Sequence, residues 1–322
     1  MEEAIKNILV DMDSYLTSNQ SQKLQRVLIL RLGKDQQRNI ETSNMNYLRM
    51  FLDAKKIEGC STRTIDYYQT TIEKMLCEIT EPIRKVTTDD IRSYLSNYQD
   101  KNGCSRTTID NIRRNISSFF TWLEEEDYII KSPMRRIHKI KTKKTVKEII
   151  TDEEIEKLRD QCVNLRDLAI IDLLYSTGIR IGELVRLNIS DINFEERECV
   201  VFGKGDKERR VYFDARTKIH LQQYISSRKD ENPALFATLD APYERLRISG
   251  VEIRLRGLGR QLGINRVHPH KFRRTMATRA IDKGMPIEQV QRLLGHSQID
   301  TTMHYAIVNQ TNVKVSHRKY IA

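Results

Sequence analysis

Six polar residues in the second half of the chain carry the side chains that a phosphoryl transfer would need. They are Arg180, Lys204, His270, Arg273, His296 and Tyr305. Attack of an oxygen nucleophile on a phosphodiester builds negative charge on the non-bridging oxygens, and without a metal ion fixed donors must meet that charge. A guanidinium suits this task because it presents paired N–H groups in one plane and keeps its charge. We therefore predict that Arg180 and Arg273 hold a phosphate while a protein hydroxyl attacks it.

A tyrosine can act as that nucleophile only with help. Its phenol has an ordinary pKa of about 10 and is mostly protonated at neutral pH, so a base and clustered cations must activate it. A phosphotyrosyl bond keeps the energy of the broken bond, and the sequence has no Gly-x-x-x-x-Gly-Lys-Ser/Thr loop for ATP. We expect no cofactor. We also expect no metal site, because no pattern adds a third ligand to the pair His268 and His270.

Local patterns predict how the chain presents these side chains. Lys204 lies between two glycines, and strand-like runs over 198–202 and 207–213 flank it. This pattern predicts a β-hairpin with Lys204 near its turn, within a small three-stranded sheet that starts near residue 191.

Helix patterns account for the remaining positions. His270 and Arg273 are three residues apart on a helix whose first turn contains a proline, so both project from one face. Gly295 follows a predicted helix over 286–294 and fixes the path of the chain into His296.

The apolar periodicity divides the chain into four segments and predicts a mainly α fold with a small β-sheet. Residues 1–42 form an N-terminal helical extension, 43–138 an all-helical domain and 139–150 a basic linker. Residues 151–322 form a mixed α/β, mostly helical catalytic domain with a C-terminal tail. A capping box at Thr151 begins this last domain.

The composition narrows the classes of partner and compartment. The 322 residues are enough for two domains, and 55 Lys and Arg against 44 Asp and Glu give a net charge of +11. This balance favours nucleic acid as the partner. The five scattered cysteines are typical of reduced thiols in a cytoplasmic protein. No apolar run is long enough to span a bilayer, so we expect no membrane partner.

Five motifs occur in a set order and spacing. They are Thr-Gly-Ile-Arg-Ile-Gly-Glu-Leu at 177–184, Gly-Lys-Gly at 203–205, His-Lys-Phe-Arg at 270–273, Leu-Leu-Gly-His-Ser at 293–297 and Thr-Thr-Met-His-Tyr-Ala at 301–306. In this arrangement the sequence closely resembles the tyrosine recombinases, the family that includes phage integrases and the Xer chromosome-dimer resolvases. The resemblance covers roughly residues 43 to 310.

The resemblance implies a role for each residue. Tyr305, at the family spacing from His296, would be the nucleophile, and His296 would bind the scissile phosphate. His270 would accept the proton of the tyrosine. Lys204 would be the general acid that protonates the leaving 5′ oxygen, with Lys207 of the same hairpin as its rival. A well-placed acid accelerates a reaction by about 10²–10⁴-fold.

The resemblance also implies supporting and DNA-binding residues. Glu183 would belong to the buried surroundings of the site, and Arg274 departs from the histidine that commonly follows the second arginine. The helical domain, of the SAM-like core-binding type, would contact the DNA backbone through Thr62, Arg63, Arg106 and Arg113. A basic run that lacks acidic residues is either a solvated linker or a segment that follows the phosphates. It contains Arg135, Arg136, Lys139, Lys141, Lys143 and Lys144.

The function that this resemblance implies is site-specific DNA recombination through a 3′-phosphotyrosyl intermediate. Four protomers would join two double-stranded DNA sites, with accessory DNA-bending or directionality factors, in the cytoplasm of a bacterial or phage-type system. Two alternatives are a type IB topoisomerase-like enzyme and a non-catalytic DNA-binding architectural protein. Within the recombinases, the segment around Tyr305 favours integrases of mobile elements, whereas the first forty residues, with net charge +1, are not a basic arm and favour an Xer-like resolvase or invertase.

Overall fold

The computed structural model describes residues 2–32, 43–141, 148–203, 208–296 and 298–303. The chain forms two compact units, Met1–Thr145 and Val146–Ala322. Across the described residues the fold is mainly helical with one small sheet, as the sequence predicts. None of the described helices is both long enough and apolar enough to cross a membrane.

The described part of the first unit is all helical. Its helices are α1 (Glu2–Met12), α2 (Ser18–Leu32), α3 (Asn44–Ile57), α4 (Thr62–Glu78), α5 (Thr88–Asn102) and α6 (Arg106–Glu125). Short 3₁₀ turns cover Asp13–Tyr15, Ile83–Lys85 and Pro133–Arg136. The two N-terminal helices pack against each other, as expected for a helical extension.

An aromatic cluster forms the centre of the first unit. Phe51 of α3 packs edge-on against Phe119 of α6, with ring centroids 5.3 Å apart, and against Trp122, at 5.7 Å. Phe51 and Phe119 are fully buried. Edge-to-face packing of this kind stabilises a core beyond the burial of apolar area.

Two helices of the first unit begin in the same way. Ser61 caps α4 by accepting a hydrogen bond from the amide of Thr64, and Ser105 caps α6 by accepting one from Thr108. A capping hydroxyl satisfies one of the free amides of the first helical turn and typically stabilises a helix by about 1 kcal/mol. The N-terminal ends of α4 and α6 are therefore fixed by the serine that precedes each helix.

The described part of the second unit contains a three-stranded sheet and eight helices. The strands are β1 (Ile192–Asn193), β2 (Glu198–Phe202) and β3 (Glu208–Tyr212), antiparallel in the order β1-β2-β3. The helices are α7 (Asp152–Asp160), α8 (Leu165–Thr177), α9 (Ile181–Leu184), α10 (Ala215–Ser227), α11 (Ile248–Gln261), α12 (Pro269–Asp282), α13 (Ile287–Leu294) and α14 (Ile299–Met303). The predicted hairpin is confirmed by the pairing of β2 with β3, and a 3₁₀ turn covers Ile189–Asp191.

Helix α8 lies at the centre of the second unit, packed against α10 and α12. Its residues 169–174 are all buried, as expected of a helix that is apolar on most of its surface. The helix ends at Gly178, whose φ of +61° favours glycine. A Cβ at Gly178 would lie 2.3 Å from the Cε atom of Met276 on α12. The chain therefore leaves α8 close against α12 and reaches Arg180 two residues later.

Candidate active site

Arg180 lies at the N-terminal cap of the short helix α9. Its backbone amide donates to Oε2 of Glu183 at 2.8 Å, and its Nη1 donates to Oε1 at 3.0 Å. Its Nη2 donates to the carbonyl oxygen of Gly295 at 3.1 Å. The side chain is 34% exposed. Arg180 is therefore held from two sides and still accessible to a ligand.

Glu183 is the buried carboxylate that organises this part of the site, with a side chain only 2% exposed. Nη1 and Nη2 of Arg209 each donate to one of its oxygens at 2.6 Å, in a bidentate pair. Burial alone would raise the pKa of the Glu183 carboxyl, but the bonds from Arg209 and Arg180 outweigh it and hold that pKa below its ordinary value. Glu183 is therefore ionised at neutral pH, as a support for Arg180 requires.

Arg209 is the residue of this network that sequence reasoning missed. It lies on β3 opposite the buried Val201 of β2, so its side chain emerges on the inner face of the hairpin. Its Nε donates to the carbonyl of Leu293 at 3.1 Å. The sequence nevertheless contained a signal for this role. Arg209 and buried Val211 are two residues apart on one strand, so their side chains lie on the same face. A strand buries alternate residues, and an arginine on the buried face needs a partner.

Gly295 is required where Arg209 crosses the chain. Its φ is +64°, and a Cβ there would lie 2.9 Å from Cδ of Arg209. The prediction that Gly295 ends a helix is confirmed, because it caps α13 in the left-handed conformation. The close approach also joins the hairpin to the segment that leads into His296.

Arg273 is a buried guanidinium anchored at the ends of two helices. It lies on α12 and is 2% exposed. Nη1 donates to the carbonyl of Gly178 at 2.6 Å, and Nη2 donates to the carbonyl of Leu294. Carbonyls at a helix C-terminus lack a partner within the helix and carry the negative end of its dipole. These bonds therefore satisfy the ends of α8 and α13 and fix the guanidinium.

His296 lies beside this guanidinium. Its Nε2 is 3.0 Å from Nη2 of Arg273, and its Nδ1 is 2.8 Å from Oγ1 of Thr302 on α14. Burial and the neighbouring charges of Arg273 and Arg180 lower the pKa of His296 to about 4. The ring is therefore neutral at pH 7. Because a guanidinium only donates, Nε2 accepts from Arg273 and the ring hydrogen lies on Nδ1.

His270 lies in the first turn of α12 near the same cations, and its residue surface is exposed. Partial burial of the ring, then the charges of Arg273 and Arg180, lower the pKa of His270 below its ordinary value. The imidazole is therefore neutral at pH 7 and able to accept a proton. Four of the six predicted residues, Arg180, His270, Arg273 and His296, thus interact in one place, whereas Lys204 and Tyr305 lie outside the described residues.

Arg274 binds the backbone near the start of the second unit. Its Nη1 donates to the carbonyl of Glu148 at 2.8 Å, and the amide of Ile150 donates to Oγ1 of the next residue, Thr275, at 2.9 Å. Arg274, which stands where the family commonly has a histidine, thus binds the backbone that enters the second unit.

The predicted DNA-binding residues fall into two groups. Thr62, Arg63 and Arg106 are exposed at the N-terminal ends of α4 and α6. Arg113, by contrast, is 12% exposed, and its Nε donates to the buried Asp110 at 2.9 Å. Arg113 is therefore engaged in an ion pair within α6.

The basic run that follows α6 is described only in part. Arg136, Lys139 and Lys141 are exposed, and Arg135 is an exposed residue paired with Glu124. Lys143 and Lys144 lie outside the described residues. Within the described ranges, no group of three or more His, Cys, Asp or Glu side chains forms a candidate metal site.

Comparison with known proteins adds two family models. The phage integrase family model matches residues 142–312, and the model of the phage integrase N-terminal SAM-like domain matches residues 47–130. Together they cover both compact units.

Curated relatives match over nearly their whole length. The tyrosine recombinase XerC of Oceanobacillus iheyensis is 30% identical over 290 residues, which cover 85% of this chain and 95% of that protein. The tyrosine recombinase XerA of Pyrococcus horikoshii is 30% identical over 283 residues, which cover 87% and 95%.

Solved structures share the fold. The Tn1549 transposon integrase in complex with transposon right end DNA superposes with a TM-score of 0.72 at 20% identity, covering 86% of this chain and 99% of that one. A lambda integrase dimer bound to a COC′ core site gives a TM-score of 0.68 at 18% identity, covering 88% and 85%. The integrase model matches more than half of the chain and agrees with the identity to XerC and XerA, so this protein belongs to the phage integrase family and is a tyrosine site-specific recombinase.

Proposed function

We propose that this recombinase cleaves DNA by attack of the Tyr305 phenol oxygen on a phosphodiester held by Arg180, Arg273 and His296. The new bond joins the phenol oxygen to phosphorus as the bond to the 5′ oxygen breaks. The tyrosine proton passes to His270. Strand exchange is the reverse reaction, in which the 5′ hydroxyl of another strand attacks the 3′-phosphotyrosyl bond. The observation that carries this proposal is the buried Arg273 beside a neutral His296 and the more accessible Arg180.

The phosphate-binding role of the two arginines follows from how they are held. Arg273 is fixed by helix-end carbonyls before any ligand arrives. Arg180 is fixed through Glu183, which is fixed in turn by Arg209. Donors positioned in advance stabilise a transition state most effectively, and loss of one such donor typically slows catalysis by about 10²–10³-fold.

We propose Lys204 as the general acid that protonates the leaving 5′ oxygen, with Lys207 as the rival. Support comes from the residue pair of the hairpin that flanks its connecting segment. Phe202 pairs with Glu208, so both lysines belong to the segment that joins β2 to β3. Arg209, the next residue after this pair, donates to Glu183 beside Arg180. The strand that follows this segment therefore reaches the carboxylate that supports Arg180.

Double-stranded DNA carrying specific sites is the proposed substrate, in the cytoplasm of a bacterial or phage-type system. The Tn1549 and lambda integrases are described in complex with DNA. By analogy, residues 43–138 and residues 151–322 would each contact the duplex, with the basic linker 139–150 between them in the chain. The exposed Thr62, Arg63 and Arg106 at the helix starts suit contacts with phosphates.

We further propose that four protomers act on two sites, with accessory factors setting the direction of the reaction. Integration or excision of a mobile element and Xer-like resolution or inversion remain two forms of this one activity. A type IB topoisomerase would use the same chemistry at a single site. The product decides between them, because only a recombinase joins strands of two different duplexes.

The test begins with sites selected from randomised DNA, together with labelled DNA from both sides of the gene. Each DNA is incubated with wild type and with Tyr305→Phe in excess EDTA, and an SDS-resistant protein–DNA band is measured. We expect the band in wild type alone, with equal DNA affinity in both proteins. A band of wild-type intensity in Tyr305→Phe would refute the assignment of the nucleophile. Loss of the wild-type band in EDTA alone would refute the metal-free mechanism.

A further inference from the structure

We propose that Thr302 is a positioning residue that orients the His296 imidazole and couples the seating of α14 to the assembly of the phosphate-binding group. The inference rests on the proposed roles of His296 and Tyr305. It assigns to Thr302 no contact with the reacting atoms.

A chain of hydrogen bonds carries the inference. Thr302 is fully buried, and its Oγ1 is 2.8 Å from Nδ1 of His296. The other ring nitrogen of His296 is 3.0 Å from Nη2 of Arg273, which is itself fixed by the carbonyls of Gly178 and Leu294. The position of α14 is thus linked through one imidazole to the buried guanidinium.

The chemistry of the donors fixes the direction of each bond in this chain. A guanidinium can only donate, so Nε2 of His296 accepts from Arg273. A neutral ring then carries its hydrogen on Nδ1 and donates it to the hydroxyl oxygen of Thr302. Without that oxygen, the Nδ1–H group would be left without this acceptor. The other tautomer would set Nε2–H against an N–H of Arg273, an unfavourable contact between two donors. Removal of the hydroxyl therefore removes one of the bonds that orient the ring.

Thr302 is also the inward-facing anchor of the helix that precedes the nucleophile. On either side of it, Ile299 and Met303 are exposed, whereas Thr302 is buried. Tyr305 follows Thr302 by three residues in the sequence. A displacement of α14 would break the bond to His296. His296, the residue proposed to bind the phosphate, would therefore be oriented only when the segment that leads to the nucleophile is packed in place.

The experiment compares Thr302→Val, which keeps the shape of the side chain and removes the hydroxyl, with Thr302→Ser, which keeps the hydroxyl. Single-turnover cleavage is measured at saturating protein on a nicked substrate, from which cleavage releases the DNA fragment that carries the free 5′ hydroxyl. DNA affinity is measured separately. We expect Thr302→Val to slow cleavage about 10- to 100-fold, since misplacement of a catalytic group by about 1 Å can cost 10²-fold. We expect unchanged affinity, and Thr302→Ser within about threefold of wild type.

The matched control is Thr217→Val on α10. Thr217 is also buried, and its hydroxyl has no hydrogen-bond partner among the described residues. We expect this variant to cleave at the wild-type rate. Wild-type cleavage by Thr302→Val, or equal slowing in Thr302→Val and Thr302→Ser, would overturn the role of the hydroxyl.

A double-mutant cycle separates positioning from a general structural effect. If Thr302 acts through His296, Thr302→Val adds less than about twofold once His296→Gln is present, because residues in one network are not additive. Full additivity would overturn the proposal. Wild type and Tyr305→Phe are assayed on the same substrate. If wild type forms no adduct, or Tyr305→Phe does, the proposed function itself fails and this inference fails with it.

Discussion

Replacement of Arg209 by alanine is the sharpest test of how the site is supported. The variant removes both hydrogen bonds to Glu183 and the bond to the carbonyl of Leu293. Arg210, the next residue on β3, is the matched control. Its side chain is 66% exposed and pairs with Glu198 at 3.1 Å. Both variants lose one positive charge from one strand, so their difference reports the contacts of Arg209.

The size of the effect follows from burial. The Arg209 side chain is 11% exposed and the Glu183 side chain 2%. Removal of one partner of a buried ion pair typically costs about 3–5 kcal/mol. Arg180 still contacts Glu183 in the variant, so we expect a loss near the lower end, about 3 kcal/mol of unfolding free energy. For Arg210→Ala we expect a loss of about 0–1 kcal/mol, the range of surface ion pairs.

The pH dependence of this difference has a definite sign. In the folded wild type, the pKa of Glu183 is held below its ordinary value. The stabilisation is therefore fully present above the ordinary carboxyl pKa of about 4.3 and is lost as the pH falls below it. The difference in unfolding free energy between wild type and Arg209→Ala should narrow between pH 7 and pH 3.

Urea unfolding followed by circular dichroism measures the effect. The single tryptophan, Trp122, lies in the first unit, so its fluorescence should report a step that Arg209→Ala leaves unchanged. We also expect cleavage to slow about tenfold or more, because Arg180 loses the support of a fixed carboxylate. Equal stability and equal cleavage rates in Arg209→Ala and Arg210→Ala would refute this account of the network.

Three further predictions test other parts of the site. Arg273→Lys should slow single-turnover cleavage about 10²-fold at unchanged stability of the first unit, because a single ammonium cannot replace a fork of N–H groups; a rate within threefold of wild type would contradict this. Because the pKa of His270 is lowered, the base is free at pH 7, and kcat/KM for cleavage should fall as the pH drops through that lowered pKa; His270→Gln should lose this limb of the profile, and its persistence would assign the base elsewhere. Arg63→Ala and Arg106→Ala should each reduce the slope of log affinity against log salt by about 0.9, whereas Arg113→Ala should reduce the stability of the first unit instead. Salt titrations and thermal unfolding of all three variants distinguish these outcomes.

The sequence predicted the parts of the fold that depend on neighbouring residues. The capping box at Thr151, the glycine cap of α13 and the β2–β3 hairpin each involve residues close in the chain, and each is confirmed. Residue type and spacing therefore suffice where partners lie within a few positions. The same reasoning singled out Arg180 and Arg273 by their chemistry.

Distant partners were beyond this reasoning. Glu183 and Arg209 are 26 residues apart, and Arg273 reaches a carbonyl 95 residues away. The periodicity of one helix or strand does not show which residues of another element lie opposite it. The roles of Lys204 and Tyr305 remain predictions, since these residues lie outside the described ranges.

Arg273 and Arg180 have different hydrogen-bond acceptors, and this difference gives the two arginines different roles. Arg273 donates to the carbonyls of Gly178 and Leu294, which are neutral groups at the negative ends of helices. These two acceptors fix the guanidinium and carry no full charge of their own. Arg180 shares a carboxylate with Arg209 but is more exposed, so it keeps a defined starting position and can still turn toward an incoming ligand. We infer that Arg273 supplies a fixed charge on the buried side of the phosphate and that Arg180 binds the phosphate from the exposed side.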